Sequence, residues 1–216
     1  SNSKMEPILD RNKKIIKLDL KIIHDKELAK KLISLADVLI EGFRPGVMER
    51  LGLGPKVFEK INKRLIFGRI TGWGQNGPYS KKAGHDINYL SITGVLNAIG
   101  FHKKQPIPPL NLLGDYAGGT MFLIMGILSA LWERNNSKKG QVVDAAMIEG
   151  VPALMGLIHT FLSEKNWNNT RSSNLLDGGC PYYRCYETKD GLFVSVGALE
   201  NKFFAILIEK LELNQN

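Results

Sequence analysis

Between Tyr116 and Trp132 the chain runs for seventeen residues without a charged side chain, through "YAGGTMFLIMGILSALW". No other feature restricts the fold as strongly. A helix that long and apolar is stable only where much of its surface leaves water, inside a core or across a bilayer. The segment is slightly short for a span, opens on Tyr-Ala-Gly-Gly and has neighbours of ordinary polarity. A buried core helix is therefore expected, and no membrane. With 216 residues, 44% of them hydrophobic and 23% charged, the chain can bury a sizeable core around it.

The flanking patterns suggest what packs on that helix. "KKIIKLDL" (Lys13 to Leu20) reads as a strand, and "KELAKKLISLA" as a helix with Leu28, Leu32 and Leu35 on its apolar face. "DVLIEGF" reads as a buried strand, "RPGVMERLGLG" as a short helix closed by glycines, and "RLIFGRITGWG" as a third strand entering a turn-rich loop. A helix over roughly His85 to Ile99 follows, then a loop, the long helix after Asp115, and a mostly helical stretch from Val142. Alternating strands and helices argue an α/β fold with a parallel sheet and flanking helices. From "PYYRCYET" to "LFVSVGAL", joined by "KDG", the pattern changes to a hairpin, closed by the amphipathic helix "NKFFAILIEKLEL". The pattern-poor stretch from Ser163 to Ser173 marks a boundary, giving a large domain over 1–165 and a linker plus the start of a smaller α+β domain over 166–216. The chain opens on a single strand and stops just after a helix, so a fragment of a longer protein is expected.

Net charge is +8, from 29 basic and 21 acidic residues, which suits an anionic partner such as a phosphorylated cofactor. No interleaving of aromatic and basic residues and no zinc finger supports nucleic acid as that partner. Cys180 and Cys185 lack metal-site spacing, and neither "HKK" nor His159 belongs to a metal constellation, so no metal is expected. Sparse cysteine and the lack of a basic-then-apolar leader fit a reduced, intracellular setting: cytoplasmic, or mitochondrial or peroxisomal in a eukaryote. "GWGQNG" has the wrong glycine spacing for a phosphate loop, which leaves nucleoside-triphosphate chemistry unsupported.

Two places put isolated proton-handling groups into apolar sequence. "AGHDINYL" holds His85, and "LLGDYAGGTMFL" holds Asp115. Histidine exchanges protons near neutral pH, and a carboxylate beside it serves as second base or fixes its tautomer. Each also has a plain structural reading, as a packing residue at a helix start and as a helix N-cap. Free N–H groups at the start of the Asp115 helix, with Gly118 and Gly119 close by, would stabilise an oxyanion. Asp86 and Asn88 read as caps of the His85 helix or as ligand contacts. Arg44 and Arg50 read as surface residues or phosphate partners. Asp144 reads as a cap, and Glu200 as a carboxylate favoured at a helix N-terminus. Met121, Met125 and Met155 read as core residues, or as an adaptable apolar surface.

Eight ordered blocks then carry a resemblance: "EGFRPGVMERLGLGP", "RLIFGRITGWGQNGP", "AGHDINYL", "PPLNLLGDYAGGTMFL", "GILSALWER", "KGQVVDAAMIEG", "LLDGGCPYY" and "VGALENKFF". Together they closely resemble the α-methylacyl-CoA racemases of the family III CoA-transferase (CaiB/BaiF-like) group, from about Arg11 onward. The resemblance implies a Rossmann-like large domain, here without its first strand, a smaller domain, and an interlocked homodimer. It implies His85 and Asp115 as catalytic residues and Glu200 as a support for the histidine across a subunit interface. It places CoA contacts on Leu18, Asp19, Leu20 and Lys21, on Gly42, Phe43 and Arg44, on Arg50, and on Gly84, His85, Asp86, Ile87, Asn88 and Tyr89. The implied activity is interconversion of (R)- and (S)-2-methylacyl-CoA thioesters by 1,1-proton transfer through an enolate, with no cofactor beyond the CoA moiety of the substrate. Two other readings stay open: CoA transfer with Asp115 as nucleophile, and a truncated, inactive CoA-binding fragment.

Overall fold

In the computed structural model, which describes residues 8–213, three runs rich in β-branched and aromatic residues form a parallel sheet in the order β1-β2-β3. These are β1 (Val38–Glu41), β2 (Ile66–Thr71) and β3 (Val142–Ala146). Val38 pairs with Ile66 and Phe67 with Val142, and the register continues in step to Thr71 opposite Ala146. β2 is central and fully covered at Ile66 and Phe67, which explains its unbroken apolar start.

Helix α1 (Ile23–Leu35) precedes the sheet; α2 (Val47–Arg50) and α3 (Pro55–Ile61) connect β1 to β2. Ala29 and Ile33 of α1 pack with Met48, Leu53, Phe58, Leu65 and Phe67 against one face of the sheet. The expected apolar face of α1 is corrected here. Leu35 is 78% exposed and Leu32 is also exposed, since Ala29 and Ile33 are the residues of α1 that enter the core cluster.

The expected strand over Lys13 to Leu20 is not formed. Residues 13–19 follow an irregular path and pair with no strand among the described residues. Ile15 and Ile16 stay in solvent, whereas Leu18 and Leu20 fold down onto the α1 cluster. Alternation alone cannot make a strand without a neighbour to take its backbone bonds.

After β2 comes α4 (Asp86–Ile92), then α5 (Val95–Ala98). The single helix expected over His85 to Ile99 is broken at Gly94, whose φ of +81° is open to glycine at little cost. The long apolar segment starts three residues before Asp115, as a π-helix over Leu112–Met121, and continues as α6 (Phe122–Ser137). Tyr116 N–H reaches the carbonyl of Asn111 at 3.4 Å, five residues back. Asp115 is thus inside a helix rather than capping one.

α6 presents Leu123, Ile127, Ala130 and Arg134 to the sheet, spaced four, three and four residues apart. Arg134 is bonded to the Asp37 carboxylate at 2.9 Å and to the Arg64 carbonyl at 2.8 Å. The opposite stripe, Met121, Met125, Leu128 and Trp132, is in solvent, with Trp132 76% exposed. The fully buried helix expected from composition is therefore half-buried, and Met121 and Met125 are not core residues; Met155 packs against the Leu90 cluster, as a core residue does. By length and composition Leu112–Ser137 would cross a bilayer, but here one face is committed to the sheet.

The stretch from Val142, expected to be helical, begins as β3. Asp144 lies in register with Arg69 rather than capping a helix. Helices α7 (Met147–Leu154) and α8 (Gly156–Ser163) follow. The hairpin is as expected: β4 (Tyr183–Glu187) pairs antiparallel with β5 (Phe193–Gly197), and α9 (Asn201–Lys210) ends the described chain. Arg171 ties the preceding segment to the body through the Asn97 carbonyl at 2.9 Å and the Asn97 side chain at 2.8 Å.

Candidate functional site

At the carboxyl ends of β1 and β2 the chain opens into a cleft of about 250 Å³. Gly42 to Pro45 form one wall and Thr71 to Trp73 the next; Lys82, Gly84, His85 and Tyr89 complete it. This edge is where parallel sheets leave helix N-termini and loops free to meet a ligand.

A buried ion network sets the first wall. Arg69 Nε donates to Glu41 Oε1 at 2.7 Å, and its two terminal nitrogens reach Glu49 Oε1 at 2.7 Å and Oε2 at 3.2 Å. Glu41 Oε2 accepts from Phe43 N–H at 2.7 Å. A residue inside the sheet thereby shapes the loop that lines the cleft. The hydrogen bonds from Arg69 hold the Glu49 carboxyl below the usual range.

An aromatic group floors the cleft. Trp73 meets Tyr89 edge-on at 4.7 Å and Tyr79 at 5.2 Å between ring centroids. The Tyr89 ring lies directly on the backbone of Gly72, where any Cβ would overlap it. Burial, and then the negative charge of Asp115, push the Tyr89 phenol above its ordinary range, with Arg44 opposing. The phenol therefore stays neutral through the physiological range.

His85 is the N-cap residue of α4 and reaches the cleft from its exposed end. Its N–H donates to Asn88 Oδ1 at 3.0 Å, and its carbonyl accepts from Asn88 N–H at 2.8 Å. The Asp86 side chain turns the other way, onto the π-helix, where Oδ2 accepts from the N–H groups of Gly114 and Asp115, both at 2.8 Å. This bond brings the two singled-out segments together. Asp115 is half-buried and does not line the cleft itself. The expected oxyanion donors are corrected: the amides of Gly114 and Asp115 are spent on Asp86, and Gly118 and Gly119 are packed under Val151 and Met147.

Of the expected CoA contacts, Gly42, Phe43, Arg44, Gly84, His85 and Tyr89 share one cleft. Asn88 lines the adjoining hollow with Trp73, Tyr79 and Lys82, and Ile87 is exposed on α4. Arg50 ends α2, with its guanidinium over Gly46 rather than in the cleft. Leu18 and Leu20 pack on the core, and Asp19 and Lys21 form a local turn, so none of the four lines the cleft. Glu200 is the exposed N-cap residue of α9, away from the cleft lining. Trp73, Tyr79, Lys82 and Thr71 line the site without having been singled out; the turn-rich "GWGQNGPYS" between a strand and His85 was the available signal.

Fold and cleft together define an α/β protein whose parallel sheet has at its carboxyl edge a cleft lined by Arg44, Lys82, His85 and the Trp73 and Tyr89 rings. The chain belongs to CoA-transferase family III, whose family model matches residues 2–216. It is 45% identical to the α-methylacyl-CoA racemase of Mus musculus over 208 residues, covering 96% of this chain and 55% of the relative. It is 44% identical to the racemase of the same name from Homo sapiens, covering 96% and 54%. The Mus musculus succinyl-CoA:glutarate CoA-transferase is 30% identical, over 95% of this chain and 46% of that protein. A CaiB/BaiF family protein from Brucella suis superposes with a TM-score of 0.77 at 26% identity, covering 93% of this chain and 52% of that one. The chain spans about half the length of the curated relatives it matches.

Proposed function

We propose that the protein containing this chain is an α-methylacyl-CoA racemase, interconverting the (R) and (S) forms of 2-methylacyl-CoA thioesters. The observation that carries the reading is the joining of the His85 and Asp115 segments through Asp86, in a chain 45% identical to a racemase of that name. One base takes the proton from C2, and the electron pair moves into the thioester carbonyl to give an enolate. The acid on the other face returns a proton to C2, which inverts the centre. His85 and Asp115 exchange these roles with the hand of the substrate. The enolate oxygen draws its stabilisation from cleft groups other than the π-helix amides, since those are already bonded. Arg44 and Lys82 give the cleft a positive potential suited to the phosphates of CoA. Glu200 supports His85 from a second subunit.

The exposed apolar stripe on α6 supports a homodimer: Met121, Met125, Leu128 and Trp132 form one continuous face. The proposal also takes in a division into a CoA-binding domain over 1–165 and a smaller domain from 166, and an intracellular setting.

Incubating the full-length protein with (S)-2-methylacyl-CoA in deuterated water tests the activity. Deuterium at C2 and loss of optical purity are expected. His85→Ala abolishes the exchange while CoA binding, measured by titration calorimetry, persists through the other cleft residues. Full exchange in that variant sinks the assignment. A hydroxylamine-trappable acyl group on Asp115, with no C2 exchange, indicates CoA transfer instead.

A further inference from the structure

Asp86 directly follows His85, yet its side chain has no part in the cleft. The residue is 7% exposed; Oδ2 holds the amides of Gly114 and Asp115, while Oδ1 is buried without a partner. A carboxylate taken from water with one oxygen unsatisfied stays in place only if the other is firmly held. Here two charge-assisted bonds hold it. The amides it takes belong to the first turn of the π-helix, which leaves them free and partly positive. Residue 114 makes room for it: a Cβ there would lie 2.6 Å from Oδ2, so a side chain at that position would displace the carboxylate. On the other side, Asn88 fixes the backbone of His85 through bonds of 3.0 and 2.8 Å.

We propose that Asp86 is the positioning residue of the proton-transfer pair. Its carboxylate pins the backbone of Asp115 to the residue after His85 and so sets the separation and facing of the two bases. The assignment rests on the racemase reading above. Asp86 does not touch the reacting carbon and exchanges no proton with substrate. Transfer across one carbon tolerates little error, and a displacement of about 1 Å at a reacting group costs about 100-fold in rate.

Two variants of the full-length protein test this, Asp86→Ala and Asp86→Asn. They are read by deuterium uptake at C2 of 2-methylacyl-CoA and by hydrogen exchange at the Gly114 and Asp115 amides. Asp86→Ala is expected to lower kcat by about 100-fold with KM nearly unchanged, and to strip protection from both amides. Asp86→Asn keeps an acceptor oxygen on the same stem and recovers most of kcat and part of the protection. Wild-type kcat in Asp86→Ala overturns the proposal, as does undiminished protection of the two amides. If Asp86→Ala does not fold, Asp86→Asn decides: faster exchange confined to Gly114 and Asp115 with lowered kcat supports the clamp, and wild-type values of both overturn it. A wild-type protein without C2 exchange sinks the racemase reading, and the amide measurements then judge the clamp separately.

Discussion

Arg69 shows how one side chain links the core to the cleft. It sits on the central strand, buried, with Glu41 on β1 and Glu49 on α2 as its partners. Removing the guanidinium leaves the Glu41 carboxylate buried and unpaired. Breaking such a pair costs about 3–5 kcal/mol, more than its net contribution when intact. Arg69→Ala is therefore expected to lose about that much stability in urea denaturation. Arg69→Lys recovers little of it, because one ammonium cannot reproduce the two-pronged bond to Glu49. Glu49 adds a pH dependence. Its folded pKa is lowered by Arg69, so its contribution is fully present above the ordinary glutamate range near about 4.3 and fades as pH falls through the lower folded value. The stability difference between wild type and Glu49→Gln is expected to be small, since Glu49 is half in solvent. It should be steady at neutral pH and shrink on acidification, as pH falls from the ordinary glutamate range through the lower folded value. A difference that grows toward acid would contradict the assignment.

Among the elements, α7 lies unusually close to the π-helix. A Cβ at Gly150 would collide with the backbone carbonyl of Gly118, and backbone cannot swing aside as a side-chain tip can. Gly150→Ala must push the two helices apart, at a cost of about 1–3 kcal/mol. Because Asp115 rides on the displaced helix, proton exchange should fall as well; a variant with wild-type melting and wild-type exchange would refute this contact. The same elements show which parts of the fold were legible. The hairpin was, because "KDG" between two β-branched runs is a local signal and Gly191 takes a φ of +80°. β1 and β2 were readable as apolar runs, but β3 was not, because "VVDAA" runs straight on into the apolar α7 and reads as helix. The inward face of α1 was not, because Leu28, Leu32 and Leu35 make a regular stripe that packing overrides in favour of Ala29 and Ile33. The π-helix carries no periodicity of its own, and the Asp86 bond to Asp115 spans 29 residues, beyond any local pattern. His85 and Asp115 could be singled out as chemical groups in apolar sequence. The bond that joins their two segments through Asp86, and the consumption of the nearby amides, needed the tertiary structure.

At the scale of the whole molecule, the sheet has helices packed on it, but α6 faces outward with a stripe as apolar as the one it buries. α9 and β5 add Phe193, Phe203 and Ile206 to the exposed apolar surface. Apolar surface of this extent fits the proposed dimer. For the full-length protein the expectation is a dimer in sedimentation equilibrium that Leu128→Lys and Trp132→Lys together convert to monomer. A dimer that survives both changes would remove α6 from the contact. The π-helix has a further consequence, for the length of the chain. Ten residues wound wide place Asp115 above Asp86 while α6 keeps its stripe on the sheet. Deleting one residue between Asp115 and Leu123 would rotate the upstream portion relative to the sheet. The number of residues between those two positions is therefore as constrained as the close-packed Gly118 and Gly119 among them.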